Sequence, residues 1–157
     1  MGPKVRAVID AGPIIHLREL GLLRAFNPFE LFTVPLVFNE VKVLPSFISV
    51  EAAFDGMKAD LIAAECGLGL AESQCMALAK KKEILLFLTD DLDARTTAEA
   101  LGLEPHGTIG ILLKAYRKGL FSRKEVVRHI QSIPRKSTLY ITQEIIEYVV
   151  REIKRKR

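Results

Sequence analysis

Tryptophan is absent from this chain, and only two of its 157 residues are cysteine. Cys66 and Cys75 stand apart with no CxxC pair or Cys/His cluster, so neither a disulfide framework nor a zinc site is indicated and both are expected as small core residues. No apolar run approaches the ~20 residues that a membrane helix needs. Residues 1–6 are too short and polar for a secretory signal, so the expected compartment is the cytoplasm. A GxxxxGK(S/T) loop for a nucleotide is missing, as is any Ser-His-Asp or Cys-His arrangement. The three histidines, His16, His106 and His129, are scattered and are expected in structural or surface roles. Repeats, low-complexity segments and linkers are likewise lacking, which leaves residues 1–157 as one domain.

A hydrophobic content of 49% is sufficient for a real core in a domain of this size. Charge is divided unevenly. Residues 1–110 hold 10 Lys and Arg against 15 Asp and Glu, whereas residues 111–157 hold 13 against 4, so the part from about residue 107 onward is a basic helical module. Such a balance suits phosphate contacts as well as a solvated surface. Within it, Lys114, Arg117, Lys118, Arg123 and Lys124 surround Gly119 and are the expected nucleic-acid contacts.

Strands and helices alternate. Val5–Ile9 and Phe29–Val34 read as strands, as does the continuous apolar run Ile84–Leu88, which has the pattern of a strand covered on both faces. Ser46–Val50 is β-like, and Leu103–Pro105 suits a short strand. Helices are expected over 13–20, from Pro35, over 56–66, from Leu70 or Ala71 to Lys82, over 91–101, over 107–118, from the Ser122/Glu125 capping box to Ser132 before Pro134, and over 142–154.

Acidic residues sit at the edges of these apolar segments: Asp10 after AVID, Glu40 in VPLVFNEV, Glu72 in GLGLAES, and Asp90-Asp91 after ILLFLT. The three-and-four spacing of Leu36, Val37, Glu40 and Val41 directs Glu40 at or beside the core, and Glu72 heads the stripe of Cys75, Met76 and Ala79. Carboxylates beside Val, Ile, Leu and Phe lose hydration at a cost of several kcal/mol unless something positive meets them. Few basic residues lie nearby in sequence, which makes Mg²⁺ or Mn²⁺ a suitable partner. In an open parallel sheet, residues after the strands gather at the carboxyl edge, so Asp10 and Asp90-Asp91 are expected to meet there.

In order along the chain, VIDAGPIIHL, VPLVFNEV, LGLAESQCMALAKK, LLFLTDDLDAR and GTIGILLKAYRKGL resemble the motifs of PIN domains, and more narrowly those of the archaeal and bacterial subgroup related to VapC toxins. The resemblance implies a Rossmann-like three-layer α/β/α sandwich with a central parallel sheet. It also implies an acidic cluster that binds Mg²⁺ or Mn²⁺ and, in most characterised members, ribonuclease activity. The family acids fall on Asp10, Glu40, Glu72 and Asp91, with Asp90 and Asp93 as neighbours and Thr89 before them. Family spacing favours Asp91 as the fourth ligand and leaves Asp90 as a helix cap, although the TDDLD segment alone allows either. The subgroup often has a serine two places after the first Asp and a glycine before the helix Glu, where this chain has Gly12 and Ala71.

The implied activity is metal-dependent hydrolysis of single-stranded RNA. Asp10 and Asp91 would serve as direct ligands, and Glu40 and Glu72 would hold a second ion or orient the water. A toxin of this kind would have a small antitoxin partner; the alternative is a non-catalytic nucleic-acid-binding or scaffold domain. Pairing into a homodimer is also expected, through the stripe Ile109, Leu112, Leu113 and Tyr116 or through Ile141, Ile145, Tyr148 and Val149.

Overall fold

Five of the segments rich in β-branched and aromatic residues build one sheet, in a computed structural model that describes residues 2–156. The strands are β1 (Val5–Ile9), β2 (Phe29–Thr33), β3 (Ile48–Val50), β4 (Leu86–Leu88) and β5 (Glu104–His106), in the order β3-β2-β1-β4-β5 and all parallel. Numbering runs leftward from β1 to β3 and then restarts to the right with β4. The strand order therefore reverses between β1 and β4, where Ile9 is in register with Leu88. In doubly wound sheets the ligand crevice lies outside the carboxyl ends of the strands at that reversal. Asp10 follows one of these two strands and Thr89-Asp90-Asp91 the other.

Among the described residues eight α-helices accompany the sheet: α1 (Ala11–Glu19), α2 (Pro35–Val41), α3 (Gly56–Cys66), α4 (Leu70–Lys81), α5 (Leu92–Ala100), α6 (Thr108–Arg117), α7 (Arg123–Lys136) and α8 (Gln143–Arg155). On one face α1 packs with α2 and α6; on the other α3 packs with α4, which lies against β1 and β4. Right-handed crossovers require this division, and the result is the expected three-layer sandwich. Ala7, Val8, Ile9, Phe87 and Leu88 are fully enclosed at its centre. No helix among the described residues is long and apolar enough to cross a membrane.

Three expectations are corrected by local chemistry. The strand expected over 84–88 shortens to Leu86–Leu88, because the end of α4 claims its first residues. Glu83 adopts φ +56°, and the N–H groups of Glu83 and Ile84 bond back to Lys80 and Ala79 carbonyls in a Schellman motif. Helix α7 does not stop before Pro134 but continues through it to Lys136, one further turn, closed by a 2.9 Å bond from Ser137 N–H to the Ile133 carbonyl. Cys66, expected in the core, is exposed at the last turn of α3, while Cys75 is enclosed.

Candidate functional site

Asp10 is buried at the end of β1, where it also caps α1. Its Oδ1 accepts from the Ala11 N–H at 2.8 Å and its Oδ2 from the Thr89 hydroxyl at 3.0 Å. The strand beneath is pinned by Thr33, whose hydroxyl donates to the Ile9 carbonyl at 2.6 Å. Burial pushes the Asp10 carboxyl up to about 7; the charges of Glu72 and Glu40 add to the rise, and the bonds from Ala11 and Thr89 oppose it. No Lys or Arg among the described residues forms an ion pair with Asp10, Glu40, Glu72 or Asp91.

The other acids are held differently. Glu72 is the third residue of α4 and folds back so that its Oε2 would lie 2.3 Å from a Cβ placed on Gly69, the residue that caps the helix. A carboxylate in a first helical turn is favoured by the helix dipole, and Gly69 leaves room for this one. Glu40 does not point at the core as its spacing suggested. Helix α2 has only seven residues, its buried face is met by Val37 and Val41, and Glu40 projects into solvent beside them.

At the TDD segment the helix cap expected of Asp90 is made by its neighbour. Asp91, not Asp90, caps α5: its Oδ1 accepts from the Ala94 N–H at 2.8 Å, and its side chain is otherwise exposed. Asp90 is turned inward and clamps three elements. Its Oδ2 lies 2.6 Å from His16 Nδ1 on α1 and 2.6 Å from the Thr108 hydroxyl, and its Oδ1 accepts from the Thr108 N–H at 2.7 Å at the start of α6. Burial alone would raise the Asp90 carboxyl, but the bonds from His16 and Thr108 outweigh it and hold the group below its ordinary value. With Asp90 ionised, the His16 Nδ1 carries the proton that is shared between them. A Cβ at Gly107 would stand 2.6 Å from Asp90 Oδ1, so this glycine is what allows the chain to pass so close. At Gly12 the nearest atoms to such a Cβ are Asp90 Cβ at 3.5 Å and Asp90 Oδ2 and His16 Cε1 at 3.7 Å, which is ordinary contact.

His16 and Thr108 are the site-edge residues missed in the sequence. The signal for His16 was its place four residues after Gly12, on the same side of α1 and on the element that Asp10 caps. Thr108 carried no signal beyond its position at the start of a helix.

The structure thus gathers Asp10, Asp90 and Asp91 at the ends of adjacent strands and brings Glu72 and Glu40 within electrostatic reach of Asp10. It does not draw them into a closed cage: among the described residues no three His, Cys, Asp or Glu side chains converge closely enough to hold an ion as they stand. The donor set nevertheless fits a hard divalent cation, since all the groups are carboxylate oxygens and the buried Asp10 carboxyl has no positive partner. Around it, Glu40 and Asp91 are exposed and Glu72 is partly buried.

The basic residues lie elsewhere. From Thr108 beside Asp90, the ten residues of α6 carry the chain about 15 Å away along the sheet. Lys114 is partway along α6, while Arg117, Lys118, Arg123 and Lys124 surround the far end. There Phe121 lies under the Arg24 guanidinium, 4.9 Å from the ring centre, in the 3₁₀ turn Leu23–Phe26 that precedes β2. Alternation of charge along the sequence could not reveal this, because the direction of α6 decides it.

A search of curated proteins finds no match to this sequence. Residues 6–155, nearly the whole length, match the PIN-domain family, and the chain belongs to that family.

Proposed function

We propose that this protein is a Mg²⁺- or Mn²⁺-dependent endoribonuclease acting on single-stranded RNA. PIN domains are in general nucleases that use divalent metal ions, which provides the reaction class. The observation that carries the reading is Asp10: a carboxylate at the reversal of strand order, held by two hydrogen bonds, raised by burial and then by Glu72 and Glu40, and paired with no Lys or Arg among the described residues. Asp10, Asp91 and Glu72 would hold the ion, with Glu40 at the exposed side. When bound, a divalent cation lowers the pKa of a water and offsets charge on the departing oxygen of a phosphodiester. Thr89 fixes the direction of the Asp10 carboxylate. Glu40, bonded to no donor among the described residues, would be free to steer a water or to accept its proton. Asp90 has both oxygens committed to His16 and Thr108 and acts as the clamp that keeps α1, β4 and α6 together.

A non-catalytic domain is the second reading, and the separation of the acids favours it: Glu72 lies back over Gly69 and Asp91 caps its helix. One assay divides the two. Single-stranded RNA is incubated with wild-type and Asp10→Asn protein, with Mn²⁺ and with EDTA. Cleavage that needs Mn²⁺ and falls at least ~100-fold in the variant supports hydrolysis at this site. Equal rates for the two proteins would assign any cleavage to a contaminant and leave the non-catalytic reading.

A further inference from the structure

Helices α7 and α8 pack as an antiparallel pair, the start of α7 meeting the end of α8 where Arg123 donates to the Lys156 carbonyl, with Ile130 and Ile133 of α7 and Ile146, Val150 and Ile153 of α8 buried. Beside that apolar seam a groove of about 620 Å³ is lined by Arg123, Lys124, Val127, Arg128, Gln131 and Lys154. Four of its six lining residues are cationic and none is acidic. Lys124, Arg128 and Lys154 have no carboxylate within ion-pair distance among the described residues. Glu125, one turn before Arg128, is committed to the Ser122 capping box, and Glu152 to Arg155. Arg123 is fixed over the groove by donating to the Lys156 carbonyl. The seam continues past Gln131 and Lys154 into a second hollow that also contains Gln143, Arg151 and one acid, Glu147.

A cationic groove with no acid in its lining is complementary to a polyanion that runs along it, and the Gln131 amide offers a donor and an acceptor to a base edge. A compact anion would need donors converging on a point. Here the charges are spaced along two helices, which suits successive phosphates. We infer that the α7–α8 groove is a second binding site for single-stranded RNA, distinct from the acidic edge, that anchors the strand while another part of it reaches Asp10. This rests on the proposed action on RNA, but the location of the groove adds a length requirement. Because the groove lies on α7 and α8 and the acidic edge at the ends of β1 and β4, a short strand fills one and only a longer strand engages both.

The test uses full-length protein with Asp10→Asn, so that RNA survives, and fluorescence anisotropy in EDTA with labelled single strands of about 4 and about 16 nucleotides. Lys124→Gln, Arg128→Gln and Lys154→Gln are combined in one variant. A second variant carries Lys4→Gln, Lys58→Gln and Lys81→Gln, which removes the same charge from exposed positions in other parts of the chain. Circular dichroism verifies that both are folded. Expected for the groove variant are an at least ~10-fold weaker affinity for the long strand and a salt slope flatter by roughly 2, about 0.7 for each lost phosphate contact. The control should change neither by more than about twofold. Equal losses in the two variants, or an unchanged salt slope in the groove variant, would overturn the inference and assign the groove to solvation or to an acidic protein. Wild-type protein that fails to cleave RNA while the groove variant loses binding would remove the hydrolytic reading and leave the groove standing.

Discussion

The hydroxyl of Thr89 donates to Asp10 Oδ2 at 3.0 Å and so ties the carboxyl end of β4 to that of β1. The same oxygen accepts from the Asp91 N–H at 3.2 Å. One fully buried side chain thereby fixes the direction of the deepest carboxylate and the start of the helix that carries the next. Around it the acids divide into two kinds. Asp90 is satisfied by donors of the chain, whereas Asp10 is buried and left short of positive charge.

The first prediction follows from the Asp10 carboxyl, raised from 3.8 to about 7 by burial and by Glu72 and Glu40. Between those values the folded chain binds a proton that the unfolded chain has lost. Metal-free stability therefore falls as pH rises across that interval, by up to about 4 kcal/mol, and is level above it. Asp90, whose carboxyl is lowered, works in the opposite sense at more acid pH. Asp10→Asn removes only the first contribution, so urea unfolding in EDTA should show the variant gaining on wild type from pH 4 to pH 8. A difference that does not vary with pH would return Asp10 to an ordinary carboxyl and remove the electrostatic case for a cation there.

A second prediction concerns two glycines beside Asp90. Gly12→Ser introduces a Cβ at 3.5–3.7 Å from its neighbours and should leave the melting temperature nearly unchanged while returning a hydroxyl to the acidic edge. Gly107→Ala places one 2.6 Å from Asp90 Oδ1, which can move aside only by releasing the Thr108 N–H. Losing that buried charge-assisted bond should cost about 1–3 kcal/mol. His16→Ala should cost a similar amount by leaving Asp90 one donor short. Thermal unfolding of the three variants gives the order directly, and a Gly107→Ala protein as stable as Gly12→Ser would mean that the clamp contributes nothing.

Third, Mn²⁺ should raise the melting temperature of wild-type protein at neutral pH. At a hundredfold excess over the dissociation constant the gain is about 2.7 kcal/mol, provided the unfolded chain does not bind the ion. Asp10→Asn should lose most of it, and Asp91→Asn a large part, each having one ligand charge fewer. Differential scanning fluorimetry across a Mn²⁺ series measures this. The same shift in all three proteins would locate the ion elsewhere on the surface.

The sheet was legible from Val5–Ile9, Phe29–Thr33 and the apolar run before Thr89 because strand pattern, turn residues and caps agree there. Ser122 with Glu125 formed the capping box that its spacing announced. Asp10 was legible as well, since a strand end in a parallel sheet has one place to go. What stayed hidden was set by rotation and direction. One residue separates Asp90 from Asp91, yet one turns inward to His16 and the other out to cap α5, and no pattern of residue types encodes that choice. Glu40 failed for a related reason, because a seven-residue helix has too few positions to define its buried face. The placement of Arg117 to Lys124 depends on which way α6 runs, a property of the assembled layers.

The fourth prediction is a homodimer through α8. Of the two stripes expected to pair, Leu112 on α6 is buried and Ile109, Leu113 and Tyr116 are packed against the core, so that face is already used. On α8, by contrast, Ile145 is 50% and Tyr148 60% exposed. Charge along this helix shifts from acidic to basic: Glu144 and Glu147 lie in its first half, and Arg151, Lys154 and Arg155 outweigh Glu152 in its last. Two copies laid antiparallel across a two-fold axis would set Glu147 against the partner's Arg151, with Tyr148 near the middle. Parallel pairing would oppose like charges. Light scattering at micromolar concentration should give twice the 17.5 kDa chain mass. Ile145→Asp with Tyr148→Asp should return it to the monomer without loss of helix content, because neither side chain is in the core. A wild-type monomer would leave α8 as an amphipathic cover for α7 alone, and each acidic edge would then act by itself.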